Sequence, residues 1–400
     1  MRKKDFGLEF IHQLKMDPPL KSRGLYTQFE RRFGEIIGRG MLTNFYRKIR
    51  ESETNPNYLK EFYQMKNQSL DAALLFNAGY QGDNYRQAIN WIMDNHDVFG
   101  KEILDVGCEC GVMSVFLGMA FADSKITAVD RCPAAIAAAK ELAERMDVHN
   151  IEFICSEIHD LPDKQYDTVF CMRMLPENCD MSKVLQSYDF LLNEARNFAV
   201  NISEFGADIS RLVKEHGFLV SMERCDVDPI LLGWMQCLNG YGLTAVSGCY
   251  QEMKVKEMEN EGTIQAFALM NEGMADPTEI YRFWCVCQSL HLDDANEGQY
   301  TGWYADMELQ NFADTLLGGF LLQDPEGHPI LTYSVWAIKD NPRQLMIYQA
   351  MGDEHILTFY EAFRRHEIMD QLMDMREDYV RQGAIAKNLR LLDGSITPVD

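Results

Sequence analysis

The stretch that decides the fold is Lys101–Gly118, KEILDVGCECGVMSVFLG. It reads as a short apolar strand over Ile103–Val106, a glycine-flanked turn, and a helix opening at Gly111. Asp105 stands at the strand end, with Gly107 and Gly111 on either side of the turn. Such a turn lets backbone approach a ligand closely and presents free N–H groups at a helix N-terminus. It marks a nucleotide-type cofactor site at the carboxyl edge of a parallel sheet.

The pattern continues outward from this stretch. Lys125–Asp130 (KITAVD) reads as a second strand, Ala134–Met146 as an alanine-rich helix, and Asn150–Cys155 (NIEFIC) as a third strand. Asp167–Met172 is the fourth strand. Lys183–Ala195 reads as a helix, Asn197–Ser203 as strand five, Asp208–His216 as a short helix and Leu219–Cys225 as strand six. Gly262–Met270 is a seventh strand; with no long crossover helix before it, antiparallel pairing with strand six is expected. Strand–helix alternation of this kind predicts an α/β, doubly wound, seven-stranded sheet with right-handed crossovers.

Before it, residues 1–98 read as helical, with apolar residues at helical spacing in Leu25–Ile37, Asn57–Phe76 and Asn84–Asn95. The sheet domain is expected over 99–275, with an insertion at 226–261. Residues 276–400 read as an α+β appendage. In it, Gly302–Leu317 is expected as helix, Phe320–Gln323 and Ile330–Ile338 as a hairpin, Arg343–Ala350 as a strand and Glu354–Lys387 as a long helical stretch.

The chain has 400 residues and a formal net charge of −23. That balance argues against a nucleic-acid backbone as partner, since counterion release needs a basic surface. Residues 1–60 run the other way, with 13 Lys/Arg against 7 Asp/Glu. Eleven cysteines without a regular framework suggest a reducing compartment, and no signal peptide is visible, so the expected location is the cytoplasm. No run of 18 apolar residues occurs, and no membrane span is predicted.

Two cofactor classes use a sheet of this kind. Dinucleotide dehydrogenases favour G-x-G-x-x-G after strand one. Here the spacing is Gly107-x-x-x-Gly111, with Glu109 where a middle glycine would stand and an acid, Asp105, just before the turn. Four segments in order resemble those of class I S-adenosylmethionine-dependent methyltransferases, a Rossmann-like family, and the resemblance spans Leu70–Asn271. Asp105–Gly111 (DVGCECG) is similar to the family's D-x-G-x-G-x-G loop. Asp130 ends strand two, 25 positions later. Cys155–Pro162 (CSEIHDLP) is similar to G-D-A-x-x-L-P, with Glu157 in the acidic position. Tyr166–Arg173 is similar to the F-D-x-V strand.

The resemblance implies a cofactor, S-adenosyl-L-methionine, and no metal. It places Asp105, Gly107, Cys108, Glu109 and Gly111 around the methionine and ribose parts. Asp130 would accept the ribose hydroxyls, with Arg131 flanking the adenine and Glu157 and Ile158 meeting it. Cys171 and Met172 fall where strand four faces cofactor and acceptor.

Methyl transfer from an activated sulfonium needs a base only where the acceptor must lose a proton. The motifs therefore leave the catalytic residue unknown; His159 and Glu177 are candidates. A tyrosine of the N-terminal helices (Tyr26, Tyr46 or Tyr80) is a third possibility. Clustered cysteines 108, 110, 132, 155 and 171 read as soft core filling rather than a zinc site. Cys285 and Cys287 read as part of a helix or strand with alternate faces. The N-terminal helices and the insertion, with Phe29, Phe45, Trp234, Tyr241 and Tyr250, are the expected walls of an acceptor pocket for a small apolar or planar molecule. The Tyr360–Met375 face suggests a homodimer through the C-terminal region. The alternative reading is a non-catalytic methyltransferase-like module acting through its C-terminal domain; a nicotinamide enzyme is disfavoured by the turn spacing.

Overall fold

The structure is a computed structural model that describes residues 4–16, 23–52, 56–179, 191–224, 228–257, 260–276, 279–280, 283, 299–339, 341–352, 354–392 and 395–399. The chain divides into two compact units, Met1–Met181 with Ala199–Ile280, and Ser182–Phe198 with Tyr281–Asp400.

The first unit opens with six helices: α1 (Phe6–Gln13), α2 (Arg23–Ile37), α3 (Arg39–Ser52), α4 (Pro56–Lys66), α5 (Leu70–Tyr80) and α6 (Gly82–Asp94). Asp5 caps α1 by accepting the Leu8 amide and ties it to α6 through Arg86 Nη2, 2.7 Å away. An aromatic cluster of Phe29, Phe33, Phe45, Phe62 and Phe76 joins α2 to α5. Tyr80 stacks on Phe76, its ring centroid 4.5 Å away, so this tyrosine is packing. The same holds for Phe29 and Phe45. The side chains of Tyr26 and Tyr46 lie outside the described residues.

The sheet follows: β1 (Glu102–Val106), α7 (Val112–Ala120), β2 (Lys125–Asp130), α8 (Pro133–Arg145), β3 (Ile151–Cys155), β4 (Tyr166–Met172), α9 (Leu175–Asn178), α10 (Leu191–Asn201, which enters this unit at Ala199), α11 (Ser203–Ser210), β5 (Val213–Glu223), α12 (Asp228–Gly240), β6 (Leu243–Ala245), β7 (Gln251–Glu257) and β8 (Asn260–Asn271). Its order is β3-β2-β1-β4-β5-β8-β6, with β7 also paired to β8. Strands β1 to β5 are parallel, and β8 runs antiparallel to β5 as its lack of a crossover helix foretold. The unit is therefore α/β with a doubly wound core, and the sheet has eight strands: six of the seven expected, Asn197–Ser203 being helical, plus β6 and β7 of the insertion.

Two readings are corrected here. Asn197–Ser203 is helical, not strand five. Phe198, Val200 and Ile202 alternate, but the buried set is Ala195, Phe198, Ile202, Phe205 and Ile209, which is helical spacing, while Val200 is 74% exposed. The short helix expected at Asp208–His216 is in fact α11, which ends at Ser210, and β5 starts at Val213. His216 takes a left-handed conformation (φ +58°) within β5, where the register against β4 shifts. Lys183–190 and Cys225 lie outside the described residues, as do Cys285 and Cys287.

The second unit holds a seven-stranded antiparallel sheet. Its elements are β9 (Gln299–Thr301), α13 (Gly302–Phe312), β10 (Ala313–Gln323), β11 (Pro329–Ile338), β12 (Asn341–Met351), β13 (Glu354–Glu361), α14 (Arg365–Arg381), β14 (Ile385–Leu392) and β15 (Ser395–Val399). The strand order is β15-β14-β10-β11-β12-β13-β9. Alternate residues feed two cores: Leu321, Trp336, Met346 and Tyr348 on the α13 side, Phe320, Leu322, Val335 and Ile347 on the α14 side. The expected long helix over Glu354–Lys387 is instead a strand, a helix and a strand. His355 and Leu357 are buried on alternate positions of a strand registered against β12. Gly302–Leu317 likewise ends as helix at Phe312 and enters β10.

Gly111 shows how tightly the glycine turn is packed. Its φ is +79°, and a Cβ there would lie 2.8 Å from the Ala139 Cβ of α8. Gly111→Ala is expected to cost about 2–4 kcal/mol, from left-handed strain plus overpacking. Gly248→Ala is the control, with φ +83° and open space around it. Urea unfolding of the two variants checks this; equal losses would mean that α8 moves aside freely.

Candidate functional site

The carboxyl ends of β1 to β5 and helices α4 and α6 enclose a cavity of about 280 Å³, close to the lower bound for small-molecule sites. Asp105, Gly107, Cys108, Glu109, Asp130, Arg131, Glu157, Ile158 and Met172 line it, together with Glu177. Gly111 and Cys171 do not. Gly111 faces α8 as described, and the Cys171 thiol turns to the Glu223 carboxylate, 3.8 Å away. His159 is also absent from the lining. It sits exposed beside Asp160, because the residues around Ile158 form one 3-10 turn that sends its ring to the surface.

Gly107 (φ +72°) leaves bare backbone beside the cavity; a Cβ would come within 2.2 Å of the Met174 Sδ. Asp105 is buried and accepts the Ser114 hydroxyl at 2.5 Å. Burial pushes its carboxyl up to about 7; the Ser114 hydrogen bond opposes this and the Asp130 charge adds to it. Asp130 accepts the Cys132 amide at 2.7 Å on one oxygen and the Glu109 amide at 2.9 Å on the other. Burial again dominates and raises it to about 6, against those two amides. A carboxylate has about four acceptor positions, so Asp130 keeps two for a ligand's hydroxyls.

Glu109 adopts φ +48°, the left-handed region that a glycine would occupy without strain. Its carboxylate is held by Lys66 Nζ at 2.6 Å, Asn77 Nδ2 at 3.0 Å and Tyr85 OH at 3.3 Å. Lys66 is itself buried, its ammonium 4.8 Å from the Phe76 ring centroid. The helical layer thus supplies three partners to the loop that sequence reasoning did not find. Each sits on an amphipathic helix with nothing local to mark it.

Tyr63 of α4 donates to Glu177 Oε1, and Arg131 Nη2 lies 3.4 Å from Glu177 Oε2. Burial raises the Glu177 carboxyl above its ordinary value, against the Tyr63 hydrogen bond and the Arg131 charge. Of the aromatic walls expected from the insertion, Trp234 is fully buried. Its Nε1 donates to Ser221 Oγ at 3.0 Å and its ring stacks on Phe205, which does line the cavity. Tyr241 is exposed, its hydroxyl on the Ser203 carbonyl; neither it nor Tyr250 is among the lining residues. Among the clustered cysteines, 108, 110, 132 and 171 are buried and 155 is exposed. Burial pushes the Cys108, Cys110 and Cys171 thiols well up, which suits packing better than reactivity.

Comparison with known proteins agrees with this geometry. Residues 98–282 match the family model described as a methyltransferase domain. A 101-residue stretch is 31% identical to the ubiquinone biosynthesis O-methyltransferase of Pseudomonas savastanoi pv. phaseolicola (strain 1448A / Race 6), and equally to that of Pseudomonas entomophila (strain L48). It covers 25% of this chain and 43% of those proteins, so the chain spans less than half the length of the curated relatives it matches. Among solved structures, the magnesium protoporphyrin IX methyltransferase of Synechocystis PCC 6803 with bound SAM is 12% identical, covering 46% of this chain and 77% of that one with a TM-score of 0.33. Over residues 98–282 the chain is thus similar in sequence to methyltransferase domains.

Glu223, at the end of β5, is fully buried and accepts the Leu175 amide at 3.2 Å. Burial lifts its carboxyl to about 8, against hydrogen bonds from the Leu175 and Met174 amides. A folded value above the unfolded one means stability is fully present below about 4.5 and is lost as pH rises through 8. The loss approaches 1.4 kcal/mol per pH unit inside that window. Glu223→Gln keeps an acceptor for the amides and cannot ionise. Its melting temperature is expected to exceed the parent's by a margin that widens from pH 5 to pH 8. A constant margin would contradict the assignment.

Proposed function

We propose that the chain is an S-adenosylmethionine-dependent methyltransferase that acts on a hydroxyl of a small-molecule acceptor. The observation that carries this is the juxtaposition of bare Gly107 backbone and the half-used Asp130 carboxylate on one cavity. That cradle fits the cofactor: Asp130 would hold the ribose hydroxyls, the Gly107 backbone the sugar–methionine junction, and Ile158 and Glu157 the adenine edge. Bound there, the cofactor supplies an electrophilic methyl carbon.

The protein's own part is to orient the acceptor, exclude water and take a proton. The helical layer covers the cavity, and the buried Lys66–Glu109 pair locks that layer to the loop. Glu177 is the group best placed to receive the acceptor's proton, since it lines the cavity and Tyr63 and Arg131 fix its two oxygens. Glu177 would take up the proton that the acceptor hydroxyl gives up on methylation, and Tyr63 and Arg131 would hold its carboxylate in place for this. The partial relatives named O-methyltransferases favour oxygen as the atom methylated.

Calorimetric titration with S-adenosylmethionine, S-adenosylhomocysteine and NAD tests the cofactor. Micromolar binding of the first two and none of NAD is expected, with Asp130→Ala weakening it at least about ten-fold through lost charged hydrogen bonds. Binding of NAD alone, or of none, would overturn the reading. Glu177→Gln is expected to lower kcat by about 10²-fold or more while S-adenosylhomocysteine affinity holds. Because the Glu177 value is raised and the base must be ionised, parent activity should rise with pH through that raised value. A flat profile with unchanged kcat in the variant would remove Glu177 from the chemistry.

A further inference from the structure

The edge of the sheet that lines the cavity runs β3, β2, β1, β4, β5. Its charges are not evenly placed. On the β2–β3 side, Arg131 lies between the carboxylates of Glu157 (3.9 Å) and Glu177 (3.4 Å), with Asp130 adjacent in sequence. On the β4–β5 side, the residues that follow the two strand ends are cationic. Arg173 follows Met172 of β4, and Arg224 follows Glu223 of β5; both line the cavity.

One carboxylate holds the two guanidiniums together. Glu257 of β7 accepts from Arg224 Nη1 at 2.9 Å on Oε2 and lies 3.1 Å from Arg173 Nη1 through Oε1. Asn84 of α6 fixes Oε1 from the other side at 2.9 Å, and Gln81 also accepts from Arg173 Nη1. These contacts use a single nitrogen of Arg173, whose planar fork carries five N–H donors. Arg173 also holds a left-handed backbone (φ +60°), a conformation disfavoured for an arginine. Such strain is retained where it aims a side chain. Here it directs a guanidinium to the mouth of β4.

The geometry points to an acceptor that carries a carboxylate, gripped by Arg173 and Arg224 while its hydroxyl lies toward Glu177. This rests on the cavity being a methyl-transfer site and adds the class of molecule it takes. Arginine is suited to this because its fork matches a carboxylate bidentately. Glu257 is then a positioning residue: it holds the two guanidiniums beside each other. It stands on β7, the strand that the insertion adds to the sheet. The aromatic and thioether walls beside the arginines (Tyr85, Phe205, Met172, Met174) suit a planar body between the two polar ends.

The full-length protein would be titrated calorimetrically with 3,4-dihydroxybenzoate and with catechol, which differ only in the carboxylate, with and without saturating S-adenosylhomocysteine. The expected result is at least about ten-fold tighter binding of the carboxylate probe, as for a charge-assisted hydrogen bond. Arg173→Gln with Arg224→Gln should bring the two probes within about three-fold, leaving catechol and S-adenosylhomocysteine affinities as they were. Arg173→Lys should keep only part of the preference, which separates fork geometry from charge. Equal affinities in the parent, no binding of the carboxylate probe, or a preference that survives the double substitution overturns the clamp. Failure of S-adenosylhomocysteine to bind overturns the methyl-transfer reading instead, and the probes titrated without it still judge the clamp.

Discussion

A carboxylate buried at a glycine turn has to find a counter-charge, and Glu109 finds Lys66. The loop between β1 and α7 must bend tightly enough to leave Gly107 bare beside the cavity, and Glu109 sits at the apex in a left-handed conformation. With Lys66 buried and Glu109 nearly so, an unpaired partner would strand a charge in low dielectric, at about 3–5 kcal/mol. The pair therefore imposes a condition on the helical layer: α4 has to lie where Lys66 can reach the loop, and α5 and α6 where Asn77 and Tyr85 complete the shell. The layer that covers the cavity is fixed by the same residue that shapes its floor.

A second buried acid acts from the opposite side. Glu223 accepts backbone amides of the turn after β4, and that turn carries Arg173, Met174 and Glu177 into the cavity. Met174 in turn occupies the space that a Cβ on Gly107 would need. The loop after β1 and the turn after β4 are thus packed against each other, one requiring glycine and the other a buried acceptor. A neutral Glu223 serves better than an ionised one, since burial dominates its titration.

What the sequence made legible follows from how local each constraint is. Asp105, Gly107 and Asp130 are set by the ends of consecutive strands, so their spacing in the chain mirrors their spacing in space. Lys66, Tyr63 and Arg173 act on partners across the fold, and helical periodicity marks them no differently from solvated residues. Residues 195–209 failed for another reason: Phe198, Val200 and Ile202 fit a strand, while Ala195, Phe198, Ile202, Phe205 and Ile209 fit a helix, and only burial decides between periods. In the second unit, Glu354–Glu361 offers buried residues at a period of two beside a genuine helix, Arg365–Arg381, and the charged run joining them hid the boundary. Trp234 was misjudged because a large aromatic in an insertion suggests a wall. Its indole is sealed behind Phe205, and the insertion reaches the cavity through the charge of Glu257 rather than through its aromatics.

The two ends of the cavity are built from different materials. Around β1 to β3 the cavity is lined by the bare glycine turn and by one aspartate whose position the strand ends dictate; a side chain on Gly107 would collide with Met174. Around β4 and β5 the groups are long side chains, Arg173, Arg224 and Glu257, supported by Gln81 just before helix α6, by Asn84 on it and by a strand added to the sheet edge. These rely on pairing rather than on backbone geometry, and pairs can be exchanged without moving a strand. A fold divided in this way keeps one ligand constant while the other varies. That is the arrangement expected when a common activated cofactor meets an acceptor chosen by charge. On the proposed function, choice of acceptor would rest with the helical layer and β7, far in sequence from the motifs that resemble the methyltransferase family.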